Sequence, residues 1–207
     1  MTATESMTTL AGESGGGWTE ETHNSLYPDN FNHGLASYIV ETIQPTSVLE
    51  FGSGLGHLAR HVTDAAEVTC YDCIEPNPIE GKYRKDAAPI LHPIDVFGQY
   101  DNSVFAEFYD VVVSIEVAEH VPRDLHTLLF DLLVKKADRV IIFSGARVGQ
   151  GGHGHIAERH QEDWRGEFLS RGCTYREDLS MEIRAACDKK NINHRQNLMV
   201  FNPSNVV

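Results

Sequence analysis

Apolar positions along this chain follow two rhythms. Short runs of β-branched, aromatic and other apolar residues at 48–51, 68–74, 93–97, 111–117, 140–144 and 198–201 predict six strands. Between them apolar residues recur at three and four positions, the spacing of one helix face. Leu58, Ala59 and Val62 form one such stripe. Leu125, Leu128, Leu129, Leu132 and Leu133 form a second, running into Lys135 and Lys136 at a helix C-terminus. Trp164, Phe168 and Leu169 form a third, stopped by Gly172. Phe31, Leu35, Tyr38, Ile39, Thr42 and Ile43 predict a helix before the first strand, and residues 180–188 read as a helix ahead of the last. Strands alternating with helices predict an α/β fold, a mostly parallel sheet covered on both faces, with ligands beyond the carboxyl ends of its strands. Residues 1–17 are rich in Thr, Ser, Glu and Gly and read as a flexible tail ahead of a single domain over 18–207.

Composition narrows the partners. The 207 residues, 41% of them hydrophobic, are enough for one substantial core. Seventeen basic against thirty acidic residues give a net charge of −13, which argues against a partner held by phosphate neutralisation, and so against bulk nucleic acid. The dense basic cluster Lys82, Arg84 and Lys85 is flanked by Glu80 and Asp86 and reads as solvated surface. No leader pattern and no apolar run near the ~20 residues of a bilayer span are present, so the expectation is a soluble cytoplasmic protein with no membrane partner. Cys70, Cys73, Cys173 and Cys187 read as reduced thiols. Cys70 and Cys73 stand three apart on a strand and point to opposite faces, which disfavours a redox pair.

The segment that carries chemistry is Val48-Leu49-Glu50-Phe51-Gly52-Ser53-Gly54-Leu55-Gly56, a strand entering a glycine-rich turn ahead of a helix. Such a turn lets a ligand lie against bare backbone. The dinucleotide fingerprint G-x-G-x-x-G places its third glycine where His57 stands here. Glu50 also suits a ligand bearing ammonium and sulfonium charge better than a pyrophosphate. S-adenosyl-L-methionine is such a ligand. At these residues the chain resembles the class I S-adenosylmethionine-dependent methyltransferases, whose first motif is an acid followed by x-G-x-G-x-G.

Glu75 stands 19 residues beyond Gly56, close to the ~20 expected of a ribose-binding acid, in the turn Glu75-Pro76-Asn77-Pro78 that its prolines would form in any case. Asp72, inside the strand, is the alternative ribose ligand. Ile94-Asp95-Val96-Phe97 looks like the family's adenine-binding motif, with Asp95 on the exocyclic amine or, failing that, shaping a turn. Residues 108–122, from Phe108-Tyr109-Asp110 through Glu116-Val117-Ala118-Glu119-His120-Val121-Pro122, resemble the fourth motif. The resemblance implies a doubly wound Rossmann-like sheet of about seven strands, the last antiparallel beside the fifth. It further implies a cofactor site of Glu50, Gly52, Ser53, Gly54, Gly56, Glu75, Asp95 and Glu116, with S-adenosyl-L-homocysteine as product.

Methyl transfer needs alignment above all, and an acceptor proton needs a base. His120 is one candidate, with packing of the following helix as its equal alternative. His155 is the other, in Ser144-Gly145-Ala146-Arg147-Val148-Gly149-Gln150-Gly151-Gly152-His153-Gly154-His155. That loop is similar to the S-A-A-x-P-G-Q-G-G-x-G-H-x-N pattern of a group of small bacterial and viral methyltransferase domains, with Gly145, Val148 and Ala157 replacing its Ala, Pro and Asn. The rival reading of the loop is metal binding by His153, His155, Glu158 and His160. No second cluster of fixed spacing supports it, and no metal is assigned. The expected activity is methyl transfer to oxygen or nitrogen of a small-molecule acceptor. The alternative is a non-catalytic subunit or sensor that binds the same cofactor.

Overall fold

A computed structural model describes residues 19–26, 32–65, 68–75, 90–92, 97 and 102–204. The tail, the 82–85 basic cluster and Asp95 lie outside them. Two helices, α1 (Glu20–Leu26) and α2 (His33–Tyr38), precede the sheet, and α2 continues through a π-helical turn, Ile39–Ile43. There follow β1 (Ser47–Phe51), α3 (His57–Ala65), β2 (Cys70–Ile74), β3 (Ile90–His92) and β4 (Tyr109–Ile115). After them come α4 (His126–Lys136), β5 (Ala137–Ser144), α5 (Gln161–Leu169), β6 (Thr174–Tyr175), α6 (Glu177–Ala186), α7 (Ile192–Asn197) and β7 (Met199–Asn202). The sheet runs β3-β2-β1-β4-β5-β7-β6. β1 to β5 pair in parallel, and β7 enters antiparallel beside β5, as the resemblance implies.

Six strands correspond to those read from the sequence. The two-residue β6 at the edge is too short to leave a pattern. The third strand lies at 90–92 rather than 93–97, and residues 93–96 lie outside the described set.

Strand residues alternate between two cores. Val48, Val111, Val113, Ile142 and Val200 face α2, α3 and α6, where Leu35, Leu58, Val62 and Ile183 are buried. Leu49, Val112, Ile141, Phe143 and Phe201 face α4 and α5, where Leu129, Phe130, Leu133, Trp164 and Phe168 are buried. Every strand of the centre is therefore apolar on both sides, the pattern of a doubly covered parallel sheet. Of the leucine stripe of α4, Leu129 and Leu133 are fully buried as expected, and Leu128 is the exception. Leu128 is 54% exposed while Phe130 is fully buried, because the helix docks through its aromatic contacts with Phe143, Trp164 and Phe168.

Asp72 is spoken for within the sheet. It accepts a short hydrogen bond from Tyr109 Oη and another of 2.8 Å with His92 Nε2. That engagement ties Asp72 to its neighbours within the sheet. Cys70 and Cys73 do fall on opposite faces, and all four cysteines are free thiols. No helix among the described residues is long and apolar enough to cross a membrane.

Candidate active site

The switch in strand order falls between β1 and β4, and the loops beyond their carboxyl ends form the site. Gly52, Gly54 and Gly56 all adopt positive φ, at 75°, 54° and 69°. The turn they make curls over the end of β2, where the Gly52 and Ser53 amides donate to the Ile74 carbonyl at 2.8 and 3.3 Å. A Cβ at Gly52 would come within 2.3 Å of Val117 Cγ2, so the turn also lies hard against the chain leaving β4. The Gly54 amide donates to Glu75 Oε2 at 2.9 Å, which places Glu75 beside the turn. Ser53 is buried and hydrogen-bonds the Cys73 thiol.

Glu50 is buried beneath this turn. Burial pushes its pKa up to about 8, against the hydrogen bond from Tyr71 Oη at 2.9 Å, and the charge of Glu75 adds to the rise. A buried carboxyl with one neutral donor and a second carboxylate nearby gains most from a cationic ligand.

The second half of the site grows from β4. Glu116, the residue after the strand, has φ 53°, a left-handed conformation rare outside glycine and frequent at functional sites. Its amide is held by the Ser144 carbonyl and Oγ, both at 3.1 Å. Its carboxylate accepts from Gln150 Nε2 at 2.7 Å and from Asn197 Nδ2 at 3.2 Å, and Asn197 also donates to Gln150 Oε1 at 2.8 Å. Glu116 thus joins β4, the glycine loop and the end of α7.

Next comes a 3₁₀ turn, Ala118–His120. Glu119 accepts through its backbone carbonyl from the amides of Ile156 and Ala157, at 2.9 and 3.0 Å, which pins the far end of the glycine loop. Its carboxyl is fully buried, and burial raises its pKa well above the usual range, with the Glu116 charge adding to the rise. His120 and His155 meet edge to face with ring centroids 4.9 Å apart. His120 Nδ1 donates to the Gly154 carbonyl at 3.1 Å, while burial lowers its pKa to about 4. His155 Nδ1 bonds Glu158 Oε1 at 3.0 Å.

Glu158 also takes the amides of Gly149 and Gly151 at 2.8 and 2.7 Å, so one carboxylate organises the whole Gly-Gln-Gly-Gly stretch. The hydrogen bond from His155, more than any other contact, holds its pKa below the usual carboxylate range. A recess of about 430 Å³ beside the loop is lined by Arg147, Val148, Gln150 and His160, among others.

Of the cofactor residues read from the sequence, Glu50, Gly52, Ser53, Gly54, Gly56 and Glu75 gather at one turn, Glu116 stands with Gln150 and Asn197 beside His120 and His155, and Asp95 lies outside the described residues. The spaced set His153, His155, Glu158 and His160 does not assemble. Glu158 is a hydrogen-bond partner of His155, and among the described residues the three-ligand group is Glu119, His120 and His155. Glu119 and Asn197 were not anticipated as site residues. Glu119 had a signal, an acid directly before His120 in a stretch otherwise flanked by the apolar Val117, Ala118 and Val121. Asn197 had none, standing 81 residues from the carboxylate it meets.

A family model described as a methyltransferase domain matches residues 23–177. The chain belongs to the methyltransferase domain family. No curated protein sequence matches it. Among solved structures, the N-methyltransferase NodS of Bradyrhizobium japonicum WM9, in complex with S-adenosyl-L-homocysteine, aligns with TM-score 0.62 at 15% identity, covering 96% of this chain and 98% of that one. Magnesium protoporphyrin IX methyltransferase from Synechocystis PCC 6803, with bound S-adenosyl-L-homocysteine, gives 0.60 at 14%, covering 97% and 99%. The plantazolicin methyltransferase BpumL, with a pentazolic desmethylPZN analog and S-adenosyl-L-homocysteine, gives 0.60 at 15%, covering 96% and 98%. At these identities the likeness is one of fold.

Proposed function

We propose that this methyltransferase moves a methyl group from S-adenosyl-L-methionine to an oxygen or nitrogen of a small-molecule or peptide acceptor, leaving S-adenosyl-L-homocysteine. The observation that carries this reading is the turn of three positive-φ glycines set between the carboxyls of Glu50 and Glu75. These residues fit the cofactor. The turn offers backbone that no side chain covers, Glu50 offers a buried acid in want of a cation, and Glu75 offers an acceptor for ribose hydroxyls in place of the Gly54 amide. Asp95 is assigned to the adenine by its position after the third strand. Ser53 closes the turn.

When bound, a sulfonium cofactor supplies a methyl already attached to a good leaving group, so the protein's contribution is orientation and exclusion of water. Glu116, committed to Gln150 and Asn197, is assigned to holding the loop in place rather than to the cofactor itself. His120 and His155 face the acceptor side. With its pKa near 4, His120 is neutral and a weak base, better suited to orienting an acceptor through its lone pair than to taking its proton. The acceptor class finds support in the similar structures, one an N-methyltransferase, one a magnesium protoporphyrin IX methyltransferase, and one holding desmethylPZN analogs.

Calorimetric titration with S-adenosyl-L-methionine and S-adenosyl-L-homocysteine, with NAD as control, tests the reading. Micromolar binding of the adenosyl ligands alone is expected. Glu75→Ala should weaken it by more than about tenfold, since buried partners lose a two-oxygen acceptor. Unchanged affinity in that variant would remove Glu75 from the ribose site, and no adenosyl binding at all would overturn the reading.

A further inference from the structure

Glu119 is 0% exposed, yet neither carboxylate oxygen makes a hydrogen bond of ordinary geometry among the described residues. The backbone amides of Glu119 and Ala146 lie near enough to favour its charged form, while burial and the Glu116 charge oppose it. Buried carboxyls are seldom left so, because the desolvation cost goes uncompensated. What the carboxylate faces is a pair of imidazoles. His155 Nε2 stands 3.8 Å from Glu119 Oε1, too long for a hydrogen bond, so protonating Glu119 alone satisfies neither group.

One ligand atom from each of Glu119, His120 and His155 lies within 4.8 Å of the others. Both rings are held in the same tautomer from behind. His120 gives its Nδ1 proton to the Gly154 carbonyl and His155 gives its own to Glu158, which puts the lone pair of each ring on Nε2. Carboxylate or carbonyl groups behind imidazoles are the usual orienting partners of metal-bound histidines. The carboxylates of Glu116 and Glu158 lie close enough to raise the Glu119 pKa, and among the described residues no Lys or Arg side chain is hydrogen-bonded to any of the three carboxylates.

We propose that Glu119, His120 and His155 bind one divalent transition-metal ion of the Zn²⁺, Co²⁺ or Mn²⁺ class, with coordination positions left open toward the acceptor. Ligand atoms around such an ion sit roughly 3 to 3.4 Å apart, so the site closes by movements of less than about 2 Å at side-chain ends. Two imidazole nitrogens with one carboxylate favour these ions over Mg²⁺ or Ca²⁺. Gly152 leaves the room this needs, since a Cβ there would stand 2.3 Å from His155 Nε2. An acceptor oxygen or nitrogen on the open position would be both oriented and made easier to deprotonate. That role rests on the proposed function, whereas binding of the ion is independent of it.

The test uses the whole protein, stripped with chelator and titrated with Co²⁺ followed by its visible absorption, then with Zn²⁺ by competition, with no cofactor present. One equivalent should bind at micromolar or tighter affinity. Glu119→Gln and His155→Gln should each weaken binding at least tenfold, and His153→Ala should leave it within twofold. Circular dichroism and S-adenosyl-L-homocysteine titration of the same samples check that the variants are folded. Absence of stoichiometric binding by the parent protein overturns the inference, as does binding that Glu119→Gln leaves within twofold. Metal binding without homocysteine-ligand binding upholds the inference and counts against the proposed cofactor site, while the converse counts against the metal alone.

Discussion

Glu50 carries a conflict between stability and binding in a single side chain. Its carboxyl titrates near 8 in the fold against 4.5 for an ordinary glutamate, mainly from burial, with Tyr71 opposing and Glu75 adding. Cys73 shares the same buried region, and its thiol is likewise pushed well up by burial and by Glu50. Between those two pH values the folded protein keeps a proton that the unfolded chain has released. The contribution to stability is therefore fully present below pH 4.5 and is lost as pH rises through 8. Glu50→Gln removes the titration while keeping an acceptor for Tyr71. In thermal or denaturant unfolding of the ligand-free protein, parent and variant should match near pH 5. The variant should be more stable near pH 8 by about 1–3 kcal/mol. The same variant should bind S-adenosyl-L-methionine more weakly, having lost the carboxyl that the proposed function sets against the ligand's ammonium group. A variant that is no more stable at pH 8 would mean that the carboxyl is not buried as described.

At the scale of elements, the glycine loop after β5 is held by an acid of its own connection and by one from the end of β4. Glu158 gathers the Gly149 and Gly151 amides, and Glu116 with Asn197 holds Gln150. Gln150→Ala cuts the loop from β4 and α7 while leaving the Glu158 contacts. Removing a partner of a buried carboxylate costs about 1–3 kcal/mol locally. Hydrogen exchange of residues 147–155 should therefore speed up by about tenfold or more, with kcat/KM falling and S-adenosyl-L-homocysteine affinity little changed. Equal loss of cofactor affinity would show that the loop belongs to the cofactor half. The loop's shape was legible in its glycines, since positive φ at Gly149, Gly151 and Gly154 is what such spacing permits. The anchors Glu116 and Asn197 were not, because they come from segments remote in sequence.

At the scale of the molecule, Trp164 links the core to the site. Its ring is fully buried against Phe130 and Phe143, and its Nε1 donates to the Ala146 carbonyl at 3.1 Å, at the root of the glycine loop. Gly145 allows the approach, as a Cβ there would meet the indole at 2.8 Å. Trp164→Ala should cost about 3–5 kcal/mol and lower the melting temperature by roughly 6–20 °C, measured by calorimetry.

The sequence by itself determined five of the strands, the helices α2 to α6 and the glycine turn. Their signals are local: alternation in strands, helical spacing in α3 and α5, glycines at alternate positions after Glu50, and an acid at the expected distance beyond them. Which face α4 buries, that Asp72 belongs to the Tyr109–His92 network, and that Glu119 rather than His153 or His160 joins His155, only the tertiary structure decided. Each of these depends on side chains brought together from separate strands and loops. Burial raises the Glu119 pKa and lowers that of His120, and the extent of burial is a property of the assembled sheet and its helices rather than of any segment read alone.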